Sequence, residues 1–242
     1  MVDLIIPFYN EEQRIPFFKD TLQGYLLKNQ YVDAVTMVND GSKDQTQTML
    51  EGVERELQLQ FPQVDFKVIN VVQNAGKGNA IRAGVLASKS KWVLSSDADF
   101  ATLPEQLDQW VEQGIVDLKE QEITYIGSRE LGMEQKLVKA LWHRRVIGRV
   151  FSTIVYWCTG IAERDTQCGF KLYPTHIAIT VFKPLVELGY AHDVEILFRL
   201  IKAGKPIKSL PLKWEERGLS KVNLVRDSFK MFMAIIKMRS YI

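Results

Sequence analysis

Four short apolar runs in the first hundred residues each stop at a polar or glycine-rich cluster, and this repeated arrest narrows the architectures open to the chain. Val2–Pro7 gives way to Phe8-Tyr9-Asn10-Glu11-Glu12, and Ala34–Val38 to Asn39-Asp40-Gly41-Ser42. Phe66–Val72 gives way to Asn74-Ala75-Gly76-Lys77-Gly78-Asn79, and Trp92–Ser95 to Ser96-Asp97-Ala98-Asp99. Runs of this length suit buried strands, and Pro7 is expected to end the first, because proline lacks the donor a central strand needs. Helix-length segments lie between them: about Ile15–Leu27, then from Ser42 or Asp44 as cap to about Gln60, then from the glycine cluster through Ala87. Strands alternating with helices at this pitch predict an α/β fold with a parallel, helix-covered sheet. Such a sheet gathers the carboxyl ends of its strands on one edge, where open α/β sheets bind their ligands.

The chemistry at that edge follows from residue type. In an extended segment alternate side chains share a face, so Asp97 and Asp99 can point at one object. Two hard oxygen ligands suit Mg²⁺ or Mn²⁺, cations that keep waters and bridge to substrate phosphates. A solvated turn is the other reading of this pair taken alone. Gly76 and Gly78 let the backbone approach a ligand, and Lys77 adds a point charge where a helix N-terminus favours anions. The glycine spacing is neither a Walker A motif nor a dinucleotide fingerprint, and an ordinary turn stays open as an alternative.

The second half is less regular. A helix around Glu105–Gln113 precedes a strand at Ile123–Ile126 that ends in Gly127-Ser128-Arg129. Residues 135–158 form a long helical candidate with Arg145 and Arg149 on one face, fit for a core helix or a membrane-surface helix. Arg164–Leu172 reads as a polar loop entering a strand, Ala191–Ala203 as a helix carrying Asp193 and Glu195, and Ile207–Trp214 as a further strand. In Ser220–Ile242, Val225, Phe229, Phe232 and Ile236 follow helical spacing, and Met231, Met233, Ile235 and Met238 widen the apolar face. Lys221, Arg226, Lys230, Lys237 and Arg239 make the other side basic. Such a helix docks on its own domain, pairs with another chain, or lies in a bilayer interface.

Composition removes several classes. The chain has 242 residues, 46% of them hydrophobic and 25% charged, enough for a sizeable core. A net charge of +2, without a basic stripe interleaved with aromatics, argues against a nucleic-acid partner. Cys158 and Cys168 are too few for a disulfide framework, and His143, His176 and His192 are scattered rather than spaced as metal ligands. With neither a leader-like N-terminus nor an apolar run long enough to span a bilayer, the expected location is cytoplasmic, with a membrane surface in reach.

Pro7-Phe8-Tyr9-Asn10-Glu11, Asn39-Asp40-Gly41-Ser42, Gly76-Lys77-Gly78 and Asp97-Ala98-Asp99, in this order, resemble the family 2 glycosyltransferases of GT-A fold. Gly127-Ser128-Arg129 and the stretch Arg164–Leu172 look more narrowly like the dolichyl-phosphate β-glucosyltransferase branch, with dolichyl-phosphate mannose synthases as relatives. The resemblance runs from Val2 to about Lys221. It implies a Rossmann-like, mostly parallel sheet in one domain over residues 1–219, with a nucleotide-sugar half (1–130) and an acceptor half (131–219). Residues 220–242 would follow as an amphipathic, membrane-surface helix.

By the same resemblance, Pro7, Tyr9 and Glu11 would hold the base and ribose of a nucleotide sugar, Asp40 would read the base, and Lys77 would sit near the nucleotide. Asp97 and Asp99 would hold Mg²⁺ or Mn²⁺ against the diphosphate, Asp97 nearer the nucleotide. Arg129 would face the acceptor phosphate or the diphosphate, and Ser220-Lys221 resembles a phosphate-contacting pair. Phe100-Ala101 departs from the Leu-Gln that often follows the acidic pair in mannose synthases. Eukaryotic relatives carry an N-terminal anchor that this sequence does not include; either residues 135–158 and 220–242 would provide membrane attachment, or the sequence is trimmed of an anchor.

The implied reaction is inverting transfer of a hexose, foremost glucose from UDP-glucose, to a polyprenyl (dolichyl-type) phosphate at the cytoplasmic face of a membrane. A phosphate acceptor arrives largely ionised and needs cations such as Arg129, Arg145, Arg149 and Lys221 more than a base. A saccharide hydroxyl would need a carboxylate, for which Asp165 is the first candidate and Asp193 and Glu195 the others; an ion pair with an arginine is the other fate open to Asp165. GDP-mannose or another donor, a saccharide acceptor, and a non-catalytic nucleotide-sugar sensor stay open as alternatives.

Overall fold

Each apolar run of the first half becomes a strand, and the elements follow in the order β1 (Val2–Phe8), α1 (Ile15–Leu26), β2 (Val32–Asp40), α2 (Thr46–Gln60), β3 (Asp65–Val71), α3 (Lys77–Ala87) and β4 (Trp92–Ser95). The second half adds α4 (Glu105–Glu112), β5 (Thr124–Ser128), α5 (Arg129–Glu134), β6 (Lys171–Pro174), α6 (Thr175–Phe182), α7 (His192–Lys202), β7 (Ile207–Pro211) and α8 (Leu224–Met238). The computed structural model describes residues 1–135, 137–138, 152–153, 155–215, 217 and 224–242, with 224–230 as backbone alone. Arg145, Arg149, Ser220, Lys221 and most of the 135–158 helical candidate lie outside the described residues.

The strands form one seven-stranded sheet in the order β3-β2-β1-β4-β6-β5-β7. β1 pairs parallel with β2 on one side and with β4 on the other, and β2–β3 and β5–β7 are parallel as well. β6 alone runs antiparallel, to both β4 and β5. The expected mostly parallel sheet is therefore present, and its one reversed strand has a functional consequence. Reversal brings the loop that precedes β6, instead of the loop that follows it, to the edge where β1–β4 end.

Strand periodicity divides the core between the two faces. Leu4, Ile6, Phe8, Trp92 and Leu94 pack with Phe18, Leu22, Leu50, Leu57 and Trp110 on the face covered by α1, α2 and α4. Ile5, Val38, Val93 and Ile126 pack with Ile81, Val85, Ile177, Val194 and Ile235 on the face covered by α3, α6, α7 and α8. Each large side chain so buried contributes about 1.5–3 kcal/mol. At Gly84 a Cβ would lie 2.5 Å from Ile5 Cγ2, so glycine sets how closely α3 approaches β1.

Several boundaries differ from expectation. β1 continues through Pro7, which lies beyond the last β4 partner at Ile5↔Ser95, where no ladder donor is needed on that side. Asn39 and Asp40 belong to β2 and pair with Asn70 and Val71. Neither Ser42 nor Asp44 is the N-cap of α2; that place is Gln45, and Asp44 Oδ1 accepts the Thr46 N–H at 3.1 Å instead. Leu137 and Val138 are not helical, and Val138 bridges Trp214 in parallel. β7 stops at Pro211, Arg129 opens the short α5, and α6 lies where no element was expected.

In α8, Met231, Ala234, Ile235 and Met238 are buried against the core, while Phe232, Met233 and Ile236 stay exposed. The tail thus docks on its own domain and keeps a second apolar stripe outward. Among the described residues no helix is long and apolar enough to cross a membrane.

Candidate active site

The loops after β1 and β2 are joined by backbone N–H groups. Asn10 N–H donates to Ser42 Oγ (2.9 Å), Glu11 N–H to Thr46 Oγ1 (2.8 Å) and Glu12 N–H to Asp44 Oδ2 (3.2 Å). In return Lys43 N–H donates to Asn10 Oδ1 (2.8 Å) and Gln45 N–H to Glu12 Oε2 (2.9 Å). Asn10 adopts φ +53°, a left-handed conformation that asparagine tolerates. Tyr9 stands part-exposed on this rim, Pro7 is half-buried beside it, and Glu11 pairs with Arg14 at 2.9 Å.

Asp40 is buried and spends both carboxylate oxygens on the glycine loop. Oδ2 accepts from Asn74 Nδ2 (2.8 Å) and Gly76 N–H (2.8 Å), and Oδ1 from Ala75 N–H (3.1 Å). Base reading, the role implied for Asp40, would need those bonds to be shared. Gly76 has φ +110°, and a Cβ there would lie 2.5 Å from the Leu188 carbonyl oxygen; at Gly78 one would lie 2.5 Å from His192 Cβ. The loop is wedged between the end of β2 and residues 188–192, and it delivers Lys77 to the acidic pair.

Lys77 Nζ stands 2.5 Å from Asp97 Oδ1. Burial opposes ionisation of Asp97, but the Lys77 ammonium holds its carboxyl below the ordinary value, with Lys171 assisting and Asp193 opposing. Asp99 shifts the other way: burial first, then the Asp97 charge, raise it. Just beyond, Phe100 is fully buried at φ +45°, a costly conformation for a bulky residue, kept by stacking on Phe18 at 5.2 Å. The turn it makes lets Phe100 N–H donate to the Asp97 carbonyl (3.0 Å) and Ala101 N–H to Asp99 Oδ1 (3.0 Å).

These two carboxylates suit a divalent cation. They supply hard oxygens at i and i+2, and Asp99 has no ion-pair partner among the described residues while its charge is disfavoured by its neighbour. Among the described residues no group of three or more His, Cys, Asp or Glu converges, so the other ligands would be waters and substrate phosphate oxygens.

The second half reaches this edge through the loop before β6. Ser95 pairs with Lys171 in antiparallel register, and Ser95 Oγ donates to the Gly169 carbonyl at 2.9 Å. A Cβ on Gly169 would fall 2.4 Å from Asp97 Oδ2, so only glycine fits against that carboxylate. Lys171 is fully buried; its ammonium donates to the Cys168 carbonyl (2.5 Å) and to Asp193. Burial works against the Asp193 charge, but His192, Lys171 and Lys77 pull its pKa down to about 2.

Arg129 and Asp165 form a two-pronged pair, Nε to Oδ2 at 2.9 Å and Nη2 to Oδ1 at 2.7 Å, with Arg129 N–H adding a third bond at 2.7 Å. Burial opposes the charge of Asp165, yet Arg129 holds its carboxyl below the usual range. The ion pair weighed against a base role for Asp165 is the arrangement present. Arg129 Nη1 has no hydrogen-bond partner among the described residues, and the guanidinium lies 6.0 Å from the Trp214 ring centre. Asp97, Arg129, Gln167, Gly169, Phe170 and Trp214 line one cavity.

The structure therefore brings Lys77, Asp97, Asp99, Arg129 and Asp165 together, with Pro7, Tyr9, Glu11 and Asp40 in the loops alongside. Sequence reasoning missed Gly169, Lys171 and Trp214. A lysine opening the apolar stretch Lys171-Leu172-Tyr173 was a usable sign of a buried ion pair; Trp214 carried none.

Comparison with known proteins agrees with this geometry. The profile of Glycosyl transferase family 2 matches residues 3–113. The chain is 33% identical to the dolichyl-phosphate beta-glucosyltransferase of Homo sapiens over 229 residues, covering 91% of this chain and 69% of that one. It is 32% identical to the Saccharomyces cerevisiae enzyme of the same name over 249 residues, 98% and 74% of the two chains. Among solved structures, glucosyl-3-phosphoglycerate synthase from Mycobacterium tuberculosis in complex with UDP superposes with TM-score 0.67 at 14% identity, covering 99% of this chain and 80% of that one. The same synthase with Mn²⁺, UDP-glucose and phosphoglyceric acid gives TM-score 0.64 at 17% identity, covering 99% and 79%. These likenesses establish a shared fold.

Proposed function

Because this chain belongs to glycosyltransferase family 2, we propose that it transfers glucose from UDP-glucose to a polyprenyl phosphate of dolichyl type, inverting the anomeric centre. The acceptor class is supported by one observation above all: the three carboxylates weighed as bases, Asp165, Asp193 and Glu195, are each held by other groups. Asp165 is locked by Arg129, Asp193 by Lys171, and Glu195 accepts from Val186 N–H, Glu187 N–H and Arg199. A hydroxyl nucleophile needs an available carboxylate, whereas an ionised phosphate monoester needs only to be oriented. Arg129, clamped by Asp165 with Nη1 left over, is the group to orient it, and the relatives' names point to the same acceptor and sugar.

On the donor side, Pro7, Tyr9 and Glu11 would hold the base and ribose, and Asp40 would hold the glycine loop beneath the diphosphate. Lys77 would neutralise phosphate charge. Asp97 and Asp99 would hold Mg²⁺ or Mn²⁺, whose chemistry there is electrostatic stabilisation of the departing diphosphate. The exposed stripe Phe232, Met233 and Ile236, with Tyr156 and Trp157, would rest on the cytoplasmic face of a membrane, where the lipid acceptor resides.

The test is transfer of labelled sugar from UDP-glucose to a short polyprenyl phosphate in detergent, with Mg²⁺ and Mn²⁺ tried separately and GDP-mannose in parallel. Label in the lipid from UDP-glucose alone is the expected result. Label from GDP-mannose moves the enzyme to mannosyl transfer, and UDP release without lipid label points to a saccharide acceptor.

A further inference from the structure

We propose that Lys77 is the resident counter-cation of Asp97, and that a divalent cation gains this carboxylate only together with a diphosphate that draws the Lys77 ammonium away. The inference rests on the donor-site reading above and adds an order of loading to it.

Three observations carry it. First, Lys77 Nζ sits 2.5 Å from Asp97 Oδ1. The other oxygen, Oδ2, is crowded by Gly169, where even a Cβ would come within 2.4 Å. A cation approaching Asp97 therefore meets an ammonium at Oδ1, with Gly169 close beside Oδ2.

Second, the backbone around Lys77 is held on both sides. Asp40 holds Asn74, Ala75 and Gly76, the Leu188 carbonyl abuts Gly76 and accepts Asn79 N–H at 3.2 Å, and His192 packs on Gly78. With that backbone in place the Lys77 ammonium can still move, by rotation about its own stem. Third, Asp99 has no cation at ion-pair distance among the described residues, so Lys77 neutralises one member of the acidic pair and leaves the other for the metal.

Charge decides the order. Asp97, Asp99 and Lys77 together carry one net negative charge, too little to hold a divalent ion beside an ammonium that repels it. A nucleoside diphosphate supplies the missing anionic oxygens. It would take the Lys77 ammonium, leaving Asp97 with Asp99 to hold the metal. The Lys77 side chain would then act as a latch on the acidic pair that opens when donor arrives.

The test is Mn²⁺ binding to the full chain, read by the loss of the free-ion electron paramagnetic resonance signal, with and without saturating UDP, each corrected by a protein-free control because UDP itself binds Mn²⁺. Wild-type protein is expected to bind Mn²⁺ about tenfold or more weakly without UDP than with it, as the repulsion requires. Lys77→Met should tighten binding of Mn²⁺ alone by about tenfold and shrink the UDP dependence, since the competing charge is gone. Lys77→Gln should follow Met, and Lys77→Arg should keep the wild-type pattern. Melting curves of each variant without ligands identify any that fail to fold, and the remaining ones decide.

Equal Mn²⁺ affinity with and without UDP in the wild type, or no tightening in a folded Lys77→Met or Lys77→Gln protein, overturns the proposal while leaving the donor site intact. Binding of neither UDP nor Mn²⁺ by the wild type overturns the donor-site reading as well.

Discussion

The loops that meet around Asp97 are held by two different kinds of force. Those after β1, β2 and β3 are stitched by side-chain oxygens accepting from backbone N–H groups: Ser42, Thr46, Asp44, Glu12 and Asp40 all act this way. Those around β6 and α7 are bolted by paired charges: Arg129 to Asp165, Lys171 to Asp193 and Arg199 to Glu195. Losing one bond of the first kind costs about 0.5–1.5 kcal/mol where the acceptor is a hydroxyl and about 1.5–3 kcal/mol where it is a carboxylate. The second leaves a buried charge stranded. The first region can therefore tolerate the loss of a single bond, while the second must stay assembled or fail.

The largest expected effect lies at the seam between the two regions. Asp99→Ala should lower turnover by about 10²–10³-fold or more, the scale seen when a group stabilising developing charge is lost, with an unchanged melting temperature. Near-normal rates at saturating Mg²⁺ would remove the metal assignment and leave the seam without a chemical role.

Next comes the bolted side. Lys171→Met strands the buried Asp193 carboxylate and should destabilise the fold by about 3–5 kcal/mol in urea titrations. Adding Asp193→Leu should restore most of that loss, because an apolar pair of similar volume avoids desolvating two ions. A cost below about 1 kcal/mol for the single variant would mean that the second region is no more brittle than the first.

The stitched side should respond less. Asp40→Asn keeps one acceptor and exchanges the other for a donor facing backbone N–H groups, a loss of about 1–2 kcal/mol. Because Asp40 holds the loop that carries Lys77, the KM for the donor should rise several-fold more than kcat falls. An unchanged KM would separate the glycine loop from donor binding.

The same difference explains what the sequence could tell. Asn39–Ser42, Gly76–Gly78 and Asp97–Asp99 are contiguous, and their chemistry follows from neighbours in the chain, so their location at strand ends was readable. Pairs such as Lys171 with Asp193, or Arg129 with Asp165, join residues 22 and 36 positions apart, and spacing along the chain does not reveal them. The reversed direction of β6 was equally hidden, because a four-residue strand reads the same in either sense. That reversal is what sets Gly169 against Asp97. The positive φ of Phe100 ran against local expectation too, since a residue of that size rarely adopts it. Tertiary stacking on Phe18 overrides the local preference, and the acidic turn takes its shape from a contact over eighty residues away in sequence.

One carboxylate on α4 lies outside the stitched pattern and gives the smallest effect. Asp108, on α4, accepts a hydrogen bond from Tyr25 Oη at 3.1 Å, and partial burial, with Glu112 and Glu105 nearby, pushes its pKa up to about 6. The folded chain thus holds this proton more tightly than the unfolded one, whose carboxyl titrates near the ordinary 3.8. Stability from this group is full below that value and is lost as pH rises through about 6. Asp108→Asn, which keeps an acceptor for Tyr25 and removes the titration, should stabilise the chain at pH 8 by about 1 kcal/mol once solvent screening of this half-exposed group is allowed for. Below pH 4 the variant and the wild type should melt together. A gain that persists at low pH would show that the aspartate is strained by packing, and the exception would then lie in shape rather than in charge.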